Sequence, residues 1–303
     1  MAGLPNLANM DCLGRINRAI DHVTRNLAQP LRLDEVAKVA CFSPYHFHRV
    51  FRAVVGETLH DFVKRLRLDR ALYLMSHGDG MSLTDVALAC GFGSSSDFSR
   101  SFRDRFGLPP SAFDLEEFRK MRRQQMVDAL PEGDKLALRP VDHNPDGFQV
   151  RLRELPARRV AYLRVFRPFE GGVVETVAKL VAWAKARGLE GGQWLGWMWD
   201  EPEIVPLEQC RYDVGLEVPE GVALAPEVHE VRFEAMKVAQ VYMLGGVDLE
   251  TRALDWLYGV WMPPSGYMPD HHPCFEAWVG LPLAQGMERC EINVQMPVVK
   301  TSG

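Results

Sequence analysis

Two stretches of the chain repeat one apolar pattern. Leu33, Val36, Ala37 and Ala40 follow the i, i+3, i+4, i+7 spacing of a helix with one buried face, and Leu83, Val86, Ala87 and Cys90 repeat it. Phe42, Phe47, Phe51, Gly56 and Phe62 recur as Phe92, Phe98, Phe102, Gly107 and Phe113. The offset is 50 before the turn and 51 after it, so one residue is inserted near Gly93–Ser94. Two copies of one supersecondary unit tolerate such an insertion in a turn. Between them, residues 59–75 read as one long amphipathic helix, and residues 113–126 as a last helix ending in Arg119, Lys120, Arg122 and Arg123.

Each copy has the grammar of a helix-turn-helix. The small Ala37 lets a second helix approach, and Cys41-Phe42-Ser43-Pro44 makes the turn, with Ser43 as N-cap and Pro44 at the first helical position. In the second copy Gly91 supplies a positive φ for the turn. Burying Phe47, Val50 and Phe51 leaves Tyr45, His48, Arg49 and Arg52 outward; burying Phe98 and Phe102 leaves Ser95, Ser96, Ser99, Arg100 and Arg103 outward. The second helix of such a motif enters the major groove. Arg49 and Arg100 hold matching positions from which a guanidinium can fork onto guanine, while Arg52, Arg103 and Arg105 suit phosphates. The bland alternative is a pair of three-helix packing units with solvated arginines; the duplication, with both outward faces basic and polar, favours DNA.

Beyond residue 147 the period changes from helical to alternating. Residues 148–155 and 158–165 read as strands about a Pro-containing turn, 173–187 as a helix, 194–199 and 212–218 as strands. The order recurs with strands at 229–236 and 237–244, a helix at 248–262, and strands at 274–281 and 288–298. The expected architecture is therefore an all-α N-terminal domain (1–126) with two helix-turn-helix units joined by a long helix, a Pro/Gly/Asp-rich linker (127–147), and an α+β domain (148–303). The latter is built from duplicated strand-helix-strand units related by a pseudo-twofold, with a ligand cleft between its halves.

Charge sharpens this division. The net charge of −5 argues against nucleic acid only if it is spread evenly. Residues 1–125 carry 18 basic and 14 acidic residues, a net of +4, and the remainder carries a net of −9. Six cysteines without a C-x-x-C pair read as reduced thiols of a cytoplasmic protein. The first residues have neither a basic nor an apolar signal region, and no apolar run reaches 18 residues, so neither a signal peptide nor a membrane partner is expected.

On the residues LDEVAKVACFSPYHFHRVFRAVVGETLHDFVKRLRLDRA and SLTDVALACGFGSSSDFSRSFRDRFGLPPSAF, the first half resembles the AraC/XylS family DNA-binding domain. The resemblance implies a transcription regulator that binds double-stranded promoter DNA and contacts RNA polymerase. It implies base contacts from Tyr45, His48 and Arg49, and from Ser95, Ser96, Asp97 and Arg100. Ser95 and Ser96 are smaller than the polar residues often found there.

On RRVAYLRV, CRYDVGLEVP and YMPDHHPCFEAWVGLP, the second half resembles the GyrI-like effector-binding domain, as in Rob-type members of the AraC family. That resemblance implies an aromatic or cationic small molecule held between aromatic walls, with Glu276 at the position of the pocket acid. A lone buried carboxylate is costly unless paired, which fits a site awaiting a cation. Tyr212, Trp197, Trp199, Trp261 and Trp278 are the candidate aromatic faces. Alternation puts Glu276 with Trp278, and Trp197 with Trp199, without fixing which face the latter pair shares. The alternative for all of these is core packing, with Glu276 paired to an arginine.

Other chemistry finds little support. His271, His272 and Cys274 lack zinc-ligand spacing and a fourth partner, so no metal or other cofactor is expected. There is no G-x-S-x-G, phosphate-binding glycine loop or H-E-x-x-H. Two rivals to sensing stand beside it: hydrolysis of strained electrophiles, with Glu276 as base and Tyr212 as orienting donor, and a purely protein-docking role. A regulator without enzymatic activity is the simpler use of a domain attached to a DNA reader.

Overall fold

A computed structural model describes residues 7–77, 81–129, 144–270 and 272–301. The chain forms two compact units, Met1–Phe118 with Ala225–His229, and Arg119–Leu224 with Glu230–Gly303.

The first unit is helical: α1 (Leu7–Arg25), α2 (Leu33–Val39), α3 (Pro44–Val55), α4 (Leu59–His77), α5 (Leu83–Ala89), α6 (Ser95–Phe106) and the start of α7 (Leu115–Ala129). Helix α1, which the repeat does not announce, buries Ile16, Ala19, Ile20 and Val23. The two copies are built alike. Ser43 and Ser94 cap α3 and α6 by accepting from the amides of His46 and Asp97, and Gly56 and Gly107 end them in the left-handed region. Both turns pass through a positive φ, at Cys41 (53°) and Gly91 (84°). Phe47, Phe51 and Phe62 pack in the first copy; Phe92, Phe98 and Phe102 begin a chain of rings through Phe106 and Phe113 to Phe118.

Helix α4 ties the copies together by polar contacts. Arg67 donates to the carbonyls of Leu27 and Gln29, while Asp69 accepts from both Arg65 and Arg105. Arg105 therefore joins α6 to α4 and is not held outward for a phosphate as its position in the sequence had suggested; the carboxylate of Asp69 at 3.1 Å explains the difference.

Among the described residues the second unit carries nine strands: β1 (Val150–Leu155), β2 (Arg158–Phe166), β3 (Trp194–Met198), β4 (Arg211–Glu217), β5 (His229–Phe233), β6 (Met236–Gly245), β7 (Tyr267–Pro269), β8 (Phe275–Trp278) and β9 (Cys290–Lys300). Their order, β1-β6-β9-β8-β3-β4-β2-β5, is symmetric about the β8–β3 pair, with β7 added against the end of β9. Exchanging β1 with β5, β2 with β6, β3 with β8 and β4 with β9 reproduces the same list, the duplicated architecture expected from the sequence. Helix α8 (Val173–Lys185) lies on β2 and β4, and α9 (Val247–Trp256) lies on β6 and β9, also as a related pair. Helix α9 runs on through a π-turn at Leu257–Trp261 into α10 (Met262–Ser265). Of the expected linker, residues 130–143 lie outside the described residues; residues 127–129 continue α7, and Asn144 exchanges two hydrogen bonds with the Phe148 backbone.

Candidate DNA-reading face and acidic ligand site

The outward faces of α3 and α6 stand as their spacing requires. Tyr45, His48, Arg49 and Arg52 are exposed around buried Phe47 and Phe51. Ser96, Arg100 and Arg103 are exposed and Ser95 and Asp97 half-buried around buried Phe98 and Phe102. Two internal contacts hold the reading arginines. Arg49 lies over the Tyr45 ring and donates to its hydroxyl at 3.4 Å, and Arg100 donates to Asp97 at 3.1 Å. Both contacts are solvent-exposed, so they cost little to exchange for a base edge.

In the second unit, register decides which residues share a face. Gly196 of β3 lies opposite Glu276 of β8, and Met198 lies opposite Tyr212 of β4. Glu276, Gly196 and Tyr212 therefore share one face, and the Tyr212 hydroxyl donates to Glu276 Oε2 at 2.8 Å. Trp278 and Trp194, paired directly, lie on the same face. Gly196 is needed there: a Cβ on it would fall 2.1 Å from the Tyr212 hydroxyl and 2.6 Å from Glu276 Oε2.

The same register separates Trp197 and Trp199 from that site. Trp197 pairs with Phe275 and packs with Tyr162, Phe233 and Phe275 in the apolar core of the opposite face. Trp199 packs against that core and donates its indole N–H to Asp213, whose carboxylate also holds Arg164 in a buried bidentate pair. Alternation along β3 thus places the expected pair of tryptophans on the far side of the sheet from Glu276. Trp261 sits in the π-turn and stacks on Tyr267 instead, at 6.1 Å and 19°. Of the five aromatic residues expected beside Glu276, Tyr212 and Trp278 share its face.

Burial dominates the electrostatics of the site. It pushes the Glu276 carboxyl up to about 7, partly offset by the hydrogen bond from Tyr212. It also raises the Tyr212 hydroxyl well above its ordinary value, with the neighbouring Glu276 charge adding to the rise. A further acid, Glu250 of α9, is pushed well above the ordinary carboxylate range by burial and by the charge of Glu276. The sequence had not singled out Glu250; the available signal was its i, i+3, i+7 relation to Ala253 and Leu257, both fully buried. Glu201, after β3, is raised to about 7 by burial, against the opposing pull of Arg119 at 3.1 Å. Burial likewise pushes the thiols of Cys274 and Cys290 to about 12, leaving them protonated.

The remaining candidate chemistry does not assemble. Among the described residues no three His, Cys, Asp or Glu side chains are grouped to hold a metal ion. His271 lies outside the described residues, His272 bonds Asp270 at 3.1 Å, and Cys274 meets the Tyr258 hydroxyl. A groove of about 550 Å³ opens near the β1 edge, lined in part by Asp146, Phe148, Arg151, Gln240, Tyr242 and Asn293. It contains neither Glu276 nor Tyr212, so chemistry rather than concavity marks the site. Among the described residues no helix is long and apolar enough to cross a membrane.

Residues 36–115 match the helix-turn-helix domain family, and residues 148–298 match the GyrI-like small molecule binding domain family. A DNA gyrase inhibitor from Edwardsiella piscicida is 32% identical over 159 residues, which are 51% of this chain and 100% of that protein. The chain is an AraC-type regulator carrying a GyrI-like domain. The HTH-type transcriptional activator RhaS of Klebsiella pneumoniae (strain 342) is 35% identical to the regulator over 96 residues, 32% of this chain. The chain spans 34% of that activator's length. A solved AraC-type DNA-binding domain from Chromobacterium violaceum is 29% identical, covers 32% of the regulator and 86% of its own chain, and superposes with a TM-score of 0.30. The regulator thus joins a DNA-binding helix-turn-helix region to a small-molecule-binding domain.

Proposed function

We propose that the regulator reads promoter DNA through both α3 and α6, and that a small cation taken up at Glu276 changes its DNA affinity. Arg49 and Arg100 read base edges, assisted by Tyr45, His48, Ser95, Ser96 and Asp97, while Arg52 and Arg103 hold phosphates. The observation that carries the sensing half is Glu276 itself: a carboxylate in a crowded, mostly apolar face whose hydrogen-bonding partner among the described residues, Tyr212, is neutral. Such a group gains most when a positive charge arrives, because crowding has already removed much of the water that would compete. Trp278 on the same face offers an aromatic surface to that charge. A cytoplasmic protein that contacts RNA polymerase once bound at a promoter completes this reading.

The reading is tested by fluorescence anisotropy with duplexes from upstream of the regulator's own gene, with and without saturating octyltrimethylammonium. The cation is expected to shift the DNA Kd at least threefold. Glu276→Gln should abolish the shift and leave the cation-free Kd unchanged. A shift retained in Glu276→Gln would place the sensor elsewhere. A cation that binds, by tryptophan fluorescence, without moving the wild-type Kd would sever sensing from DNA affinity.

A further inference from the structure

The face that carries Glu276 holds a second carboxylate, and among the described residues neither has a counter-charge. Glu250 stands on the inward stripe of α9, one turn before Ala253 and two before Leu257, on a helix packed over β6 and β9. Strand β9 is the direct neighbour of β8, where Val294 lies opposite Glu276. Gly245 of β6 pairs with Cys290, in phase with Val294, and a Cβ on it would meet the Leu249 side chain at 2.7 Å, so α9 and its Glu250 lie on the side of the sheet from which Glu276 projects.

Several other acids of this unit are matched by arginines. Asp248 takes Arg252, Glu201 takes Arg119, and Glu203 takes Arg119 and Arg123. Asp213 of β4, on the opposite face, and Asp200, just after β3, are held by Arg164 and Arg211. Among the described residues, neither Glu250 nor Glu276 has an arginine or lysine within ion-pair distance. Both keep partial solvent access although protein atoms crowd them. Two uncompensated carboxylates in one desolvated place repel each other and hold protons that a bound cation would displace. A single positive charge relieves one of them and leaves the other.

We propose that the site is built for a dication, with one positive centre against Glu276 beside Tyr212 and the second against Glu250. This rests on the cation-sensing reading above and narrows it to a ligand class: an elongated molecule with two cationic ends and an apolar spacer. Trp278, on the Glu276 side of its strand, gives the spacer an aromatic surface. Gly196 keeps the floor beneath Glu276 and Tyr212 clear. Glu250 then sets specificity, discriminating two charges from one, while Glu276 is required by both.

The test compares matched quaternary ammonium series at pH 8 by isothermal titration calorimetry on the full chain. The monocations are hexyl-, octyl- and decyltrimethylammonium; the dications are hexane, octane and decane chains with a trimethylammonium at each end. The best dication should bind at least tenfold more tightly than the monocation of the same length. Glu250→Gln should reduce that ratio to below threefold while moving monocation affinity less than threefold, and Glu276→Gln should weaken both classes. Monocations that bind as well as dications at every length would overturn the inference and leave the cation reading intact. Binding of neither class would overturn the cation reading and the inference with it. The wild-type ratio needs no variant, so a misfolded glutamine substitution cannot rescue or sink the result.

Discussion

Glu276 is charged at neutral pH only against the opposition of its surroundings, which gives two consequences with definite signs. Its carboxyl is raised from 4.5 to about 7 in the folded chain, so the folded state holds a proton that the unfolded state has lost between those values. The stability this group contributes is full below about pH 4.5 and is lost as pH rises through about 7. Glu276→Gln should therefore raise unfolding free energy at pH 8 by about 1–3 kcal/mol, discounting for partial solvent access, and change little at pH 4. Urea melts at the two pH values check this. Cation affinity has the opposite dependence: for a quaternary ammonium, whose charge is fixed, binding should strengthen as pH rises from 5 to 8. Glu250, itself raised by burial and by the charge of Glu276, titrates together with it, so the pH dependence belongs to both carboxyls. Tyr212, Cys274 and Cys290 stay protonated throughout, and Glu201 is already matched by Arg119. A flat calorimetric affinity across that range would mean that the carboxylate does not meet the cation. Glu276, Tyr212 and Trp278 were legible in the sequence because one strand motif and one hydrogen-bonding partner carried them. Glu250 was not, since its approach to Glu276 depends on how α9 packs over β6 and β9, which no local spacing shows. Trp197 and Trp199 misled because alternation shows that two residues share a face, while only pairing with β8 shows which.

The two helix-turn-helix copies differ most at the turn. Cys41 and Gly91 fill the same left-handed position, but Gly91 is hemmed in by Leu27 and Ala28, where an added Cβ would come within 2.8 Å of a backbone oxygen. Gly91→Ala should cost roughly 2–4 kcal/mol, combining left-handed strain with displacement of backbone that cannot swing aside. Cys41→Gly should be neutral or stabilising by up to about 1 kcal/mol, because it relieves a side chain of an unfavourable φ. Thermal or urea denaturation of both variants is the check, and equal effects at the two turns would contradict the asymmetry. At this scale the sequence was highly legible: caps, terminal glycines and ring positions all follow from local spacing. Helix α1 has no partner in the repeat. The short β7 escaped for a different reason, since its three residues are made a strand by the end of β9 and by nothing local.

For the molecule as a whole, the charge division is real but its basic half is partly committed. Arg119 and Arg123 of α7 belong to the second compact unit and are bound there by Glu201, Glu203 and Asp255. Arg65 and Arg105 are held by Glu57 and Asp69 within the first. Exposed cations remain on α1 and α2 (Arg18, Lys38) as well as on α3 and α6 (Arg49, Arg52, Arg100, Arg103), and the last four stand on the reading faces, so sequence preference should rest heavily on a small number of side chains. The direct measurement is an anisotropy titration of upstream promoter DNA and of random DNA with wild type, Arg49→Ala and Arg100→Ala. If both helices read bases, each substitution costs about 1–3 kcal/mol on promoter DNA and clearly less on random DNA. If neither substitution weakens promoter binding, on DNA that the wild type holds tightly, α3 and α6 are not the reading elements and the account fails.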